Sequence, residues 1–138
     1  MTANIIIFLG QQWMLVGILL VLAFLFVQLE MKRGGQSVSI HQLTAMVNRE
    51  NAIILDIREA AEFKEGHIVD ALHIPFTKLK ERQSELDKYK DRPIVLVDKM
   101  GQHTGAAGKQ LLDAGFKASR LNGGMTEWRG SNLPVVRD

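Results

Sequence analysis

The chain has 138 residues, 46% of them hydrophobic, with 17 Lys and Arg against 15 Asp and Glu and a formal net charge of +2. That length holds one domain of about 100 residues plus an appendage. The absence of cysteine excludes disulfides, thiolate metal sites and a cysteine nucleophile, and the interspersing of basic with acidic side chains excludes the basic stripe that nucleic-acid binding needs.

Residues 1–31 carry a single charged side chain, Glu30, so the other 14 acids and every basic residue lie in 32–138. Met14 to Val27 is an unbroken apolar run, preceded by the apolar Ile5 to Leu9 and, between them, Gly10-Gln11-Gln12-Trp13. From Ile5 to Leu29 is 25 residues, roughly 37 Å of helix against a hydrocarbon layer of about 30 Å. Residues 1–31 are therefore read as one transmembrane anchor. Its core span is 13–29, with Trp13 in an aromatic belt and Ile5 to Leu9 near the outer headgroups. No basic residue precedes the apolar core and no small-x-small cleavage site follows it, which argues against a signal peptide. A buried core helix would carry a polar face, and Met14 to Val27 has none. Lys32 and Arg33 follow the span, so the positive-inside rule places the amino terminus outside and the rest of the chain in the cytoplasm, as a single-pass membrane protein.

Residues 32–37 form a polar linker with two glycines, and 38–138 the folded domain. Val38-Ser39-Ile40 is a short strand candidate, followed by a helix through about Asn48 with Leu43, Met46 and Val47 on one side. Ala52 to Leu55 is an apolar run suited to a strand buried on both faces; Asp56-Ile57-Arg58 ends it. Ala60 to Glu65 is a helical turn or two closed by Gly66. Ile68 to Ile74 reads as a strand, Phe76 to Leu79 as a turn, and Glu81 to Tyr89 as a charged helix with Leu86 and Tyr89 inward. Ile94 to Val97 is a β-branched strand that runs into a polar loop and then into a helix from Thr104 to Ala114, stopped by Gly115. Phe116 to Leu121 is a last strand, Asn122-Gly123-Gly124 a turn, and Met125 to Arg129 a terminal helical turn. Alternating strands and helices imply an α/β fold: a central parallel sheet with helices on both faces.

The strand–loop–helix unit from Ile94 to Thr104 draws the functional reading. Ligands bind at the carboxyl ends of strands in open α/β sheets, and loop amides with a helix dipole favour an anion. The candidate loop is Asp98, Lys99, Met100, Gly101, Gln102 and His103. Its first residue is a carboxylate, which satisfies the same amides that would hold a bound anion. Two other readings stand beside this one. A carboxylate can attack phosphoryl groups, although no acid cluster is placed to bring Mg²⁺. Lys99, His103 and the amides can also bind an anionic group or a peptide carboxylate. His41, His73 and His103 lack metal-ligand spacing, so neither metal nor cofactor is expected.

Three blocks of sequence carry a resemblance. Asp56-Ile57-Arg58 is followed by Glu62-Phe63 and Gly66-His67-Ile68; Pro93 to Thr104 gives a strand and loop; Gly123-Gly124 with Trp128, then Leu133-Pro134-Val135, closes the chain. Together they resemble the rhodanese-like domain over about 38–136, and with the single amino-terminal span the whole chain is similar to the YibN type of bacterial membrane-anchored rhodanese-like proteins. The resemblance implies a five-stranded sheet and, in active members, a catalytic cysteine where this chain has Asp98 and often an arginine later in the loop. Sulfur transfer of that kind needs a low-pKa thiolate. The expectation is thus a pseudoenzyme with no catalytic residue, docking membrane proteins or membrane-associated complexes. The alternative is an auxiliary sulfurtransferase-type domain that binds a sulfur carrier or anionic substrate through Asp98 to His103. Asp56, Arg58, Gly66, His67, Gly123, Gly124 and Trp128 are expected to be structural: a charge-assisted tie at a strand end, glycines at turns, a satisfied histidine and a core anchor.

Overall fold

The computed structural model describes residues 2–32 and 35–137. The chain divides into two compact units, Met1–Met31 and Lys32–Asp138, each described by itself.

The first unit is a helix, α1 (Thr2–Lys32). It runs without a break through Gly10-Gln11-Gln12-Trp13, where the sequence reading separated two apolar runs: one glycine costs a helix interior about 1 kcal/mol, too little to interrupt 31 residues. Thr2–Leu29 is long and apolar enough to cross a membrane.

The second unit is an α/β domain. In chain order it contains β1 (Gln36–Val38), α2 (Ile40–Glu50), β2 (Ile53–Asp56), α3 (Ala60–Glu65) and β3 (Leu72–His73). After a 3₁₀ turn at Phe76–Lys78 come α4 (Leu79–Arg82), a 3₁₀ stretch at Gln83–Tyr89, β4 (Pro93–Val97), α5 (Thr104–Asp113), β5 (Lys117–Leu121) and α6 (Gly124–Gly130). The five strands are parallel in the order β1-β5-β4-β2-β3. β4 and β2 lie inside the sheet, which is why Ile94 to Val97 and Ile53 to Leu55 are apolar without alternation. One face packs Leu55, Leu96 and Ala118 against Leu79, Leu86 and Leu111. The other packs Val95, Val97 and Leu121 against Leu43, Met125 and Trp128.

Four boundaries differ from the sequence reading. The expected linker 32–37 already contains β1, and Arg33 and Gly34 lie outside the described residues. Ser39, read as strand, is the N-cap of α2: its hydroxyl accepts from the Gln42 N–H while the Gln42 side chain accepts from the Ser39 N–H. This reciprocal box satisfies two donors at the helix start, and Ser39→Ala is expected to cost about 1 kcal/mol of domain stability in urea unfolding. The expected strand Ile68 to Ile74 shrinks to Leu72–His73, because Val69 and Asp70 form a turn with Asp70 at φ 63°. The charged helix expected over Glu81 to Tyr89 is α-helical only to Arg82 and then tightens to 3₁₀, with Leu86 buried. On its exposed surface a hydrogen bond from Arg82 holds the Glu85 carboxyl below its usual range.

Candidate functional site

β4 delivers its last residue to the carboxyl edge of the sheet, where the Ile57 N–H donates to Val97 O at 2.9 Å and aligns the ends of β2 and β4. The next residue, Asp98, is 4% exposed. Its Oδ1 accepts from the Lys99 N–H at 2.8 Å and its Oδ2 from the His103 N–H at 2.7 Å. The carboxylate thereby clamps the first and last amides of its own loop, using both oxygens in charge-assisted bonds. Gly101 supplies the positive φ, 93°, that turns the loop, and the buried Thr104 hydroxyl donates to Gly101 O at 3.1 Å. Lys99, Met100, Gln102 and His103 face solvent. The His103 ring stacks on Phe76, with centroids 4.7 Å apart and planes within 10°. Asp98→Asn retains one acceptor and turns an amide NH₂ toward the other donor. It is expected to lower stability by about 1–2 kcal/mol, read as a shifted urea midpoint at unchanged slope.

The Gly123-Gly124 turn packs against the back of this loop. The Met125 N–H donates to Asp98 O at 2.8 Å and the Thr126 N–H to Lys99 O at 2.9 Å, so the first amides of α6 are capped by the loop's own carbonyls. Gly123 and Gly124 take φ 76° and 56°. The approach of two backbones is the role the sequence reading missed when it called these residues a turn. Phe76 was missed as well, since its contact with His103 leaves no local pattern.

Asp56, Arg58, Gly66 and His67 form a second cluster. Arg58 Nη2 donates to Asp56 Oδ2 at 2.7 Å and to Gly66 O at 2.8 Å, Nε donates to both carboxylate oxygens, and the Arg58 N–H to Oδ1. Both side chains are buried, 1% and 5% exposed. Gly66 admits close neighbours: a Cβ there would lie 3.0 Å from both Arg129 Nη2 and Val135 Cγ2. His67 Nδ1 bonds Phe63 O at 2.8 Å, and Phe63 is sandwiched between the rings of His67 and His73 at 3.7 and 4.3 Å. Trp128 donates its indole N–H to Pro134 O at 3.0 Å. It also lines an apolar groove of about 480 Å³ with Leu43, Val47, Ile54, Ile68 and Leu133, none of them from the loop. Among the described residues no group of three or more His, Asp or Glu is placed to hold a metal ion.

The chemistry this arrangement allows is narrow. A buried carboxylate with both oxygens engaged by amides is a poor nucleophile, and a loop whose one sulfur is the thioether of Met100 has no thiol on which to form a persulfide.

Comparison with known proteins bears on this geometry. The family model described as a rhodanese-like domain matches residues 39–131. YibN of Escherichia coli (strain K12) is 34% identical over 98 residues, which cover 70% of this chain and 68% of that protein. A protein of Allochromatium vinosum named sulfurtransferase is 33% identical over 92 residues, covering 66% of this chain and 84% of its own. A crystal structure of a rhodanese-related protein from Thermoplasma volcanium superposes with a TM-score of 0.68 at 25% identity, over 75% of this chain and 99% of that one. With its parallel five-stranded sheet, its strand-end loop and a family match over most of its length, the chain belongs to the rhodanese-like domain family.

Proposed function

We propose that this chain is a membrane-anchored, non-catalytic docking module whose rhodanese-like domain faces the cytoplasm and presents the Asp98–His103 loop to membrane proteins or membrane-associated complexes. The observation that carries the reading is the Asp98 carboxylate, held by the Lys99 and His103 amides at the loop position where sulfur transfer requires a thiolate. The length and apolarity of Thr2–Leu29 support the anchor, and Lys32 and Arg33 directly after it support a cytoplasmic domain. Confinement to a surface raises the effective concentration of the domain for partners there, so weak loop contacts suffice. Exposed Met100, with Lys99 and the His103–Phe76 stack beside it, supplies an apolar and basic rim for such contacts.

The test is crosslinking of the full chain in native membranes, paired with a thiosulfate–cyanide assay of the purified protein. The docking reading expects membrane-embedded partners whose recovery depends on Met14 to Val27 and on the loop, with no sulfur-transfer turnover. The sulfurtransferase name of the Allochromatium vinosum relative motivates a second reading, an auxiliary domain that binds a sulfur carrier. Soluble sulfur-carrier proteins recovered through the loop would support that reading instead, and turnover by the pure chain would overturn both.

A further inference from the structure

We propose that Arg120 anchors a binding site for a small free oxyanion of the phosphate or sulfate class, on the face of the sheet covered by α5. Strand alternation puts Arg120 on the same face as Ala118, which packs with Ala107 and Leu111 of α5. The guanidinium reaches the first turn of that helix, where Nη1 lies 3.7 Å from the position a Cβ on Gly105 would take. Its Nε is buried with no hydrogen-bond partner. Among the described residues no acceptor takes a hydrogen bond from its Nη nitrogens, and no carboxylate lies within the 4.0 Å of an ion pair.

The surroundings do not relieve this charge. Register sets Ser37 of β1 and Leu96 of β4 beside Arg120. The N-cap of α5, His103, makes no side-chain cap, and its N–H is taken by the Asp98 carboxylate. A partly buried cation bordered by a hydroxyl and an apolar side chain, with its Nε unpaired, is one that a bound anion compensates. The guanidinium fork suits an oxyanion, with the Ser37 hydroxyl as a further donor in reach of the same strand pair. Because Arg120 is only partly exposed between β1 and α5, the ligand is a small free ion. The site rests on the Arg120 guanidinium rather than on the contacts of the Asp98 loop, and it stands whether or not the docking reading does.

The experiment uses the full chain in uncharged maltoside micelles, with inorganic phosphate replacing chloride at constant ionic strength. The NMR signals followed are the Arg120 Nε–Hε and the Gly105 amide. The expected result is a saturable shift of both in the unmodified chain, with the Gly105 amide response weakened several-fold in Arg120→Lys and absent in Arg120→Met. The latter keeps the aliphatic stem, removes an unpaired charge and is expected not to lower the Tm. A shift that does not saturate, or one that persists in Arg120→Met, overturns the site. So does a response to phosphatidylglycerol nanodiscs in a protein that ignores inorganic phosphate.

Discussion

Gly124→Ala is expected to destabilise the domain by about 3 kcal/mol or more, a larger effect than that of Asp98→Asn. Two terms add. A non-glycine residue at φ 56° in the left-handed region costs about 1–2 kcal/mol. The new methyl would overlap the Asp98 carbonyl oxygen and stand 2.9 Å from the Lys99 carbonyl, so the turn and the loop must part. Overpacking of that kind costs about 1–3 kcal/mol. Parting them also strips the Asp98 and Lys99 carbonyls of the Met125 and Thr126 amides. Gly115→Ala is the control: it shares the positive φ, 91°, but a Cβ there meets nothing within 4 Å, so only the conformational term, about 1 kcal/mol, is expected. Urea unfolding of the full chain in micelles, followed by tryptophan fluorescence, reads both. Equal losses for the two variants would show that the close approach contributes nothing.

That contrast also explains what could and could not be read from the residues in order. Gly115 and Gly124 look alike locally; only the packing of α6 against a loop some twenty positions earlier distinguishes them. β2 and β4 were legible because strands buried on both faces need continuous apolar runs, which Ile53 to Leu55 and Ile94 to Val97 supply. The edge strands were not, since three residues at Gln36–Val38 and two at Leu72–His73 are too short to show a period. Ser39 carried a readable signal in its pairing with Gln42 three residues on, but the β-branched neighbours drew it into a strand. The candidate loop could be located because a strand, a glycine-bearing polar stretch and a run of small residues follow one another from Ile94 to Gly108. The stack of His103 on Phe76 and the unpaired state of Arg120 arise from contacts between distant segments, and neither has a local signature.

Asp56→Ala is expected to cost about 3–5 kcal/mol, because it leaves the Arg58 guanidinium buried without its counter-charge. Arg58→Met removes the other half. It strands a buried carboxylate that keeps only a main-chain N–H, and it leaves the Gly66 carbonyl with the longer bond from Arg129 Nη2 alone, cutting its tie to this strand edge. Each single change therefore exposes the desolvation cost the pair normally offsets. The double variant Asp56→Ala with Arg58→Met removes both charges and should lose much less than the sum, with a coupling of about 2 kcal/mol or more between the sites in a double-mutant cycle. Additive losses would mean that the two side chains act through separate contacts despite the 2.7 Å bond between them. A large coupling would make this pair the device that fixes the turn after β2. Since Ile57 also donates to the last carbonyl of β4, the same device sets the height at which Asp98 enters its loop.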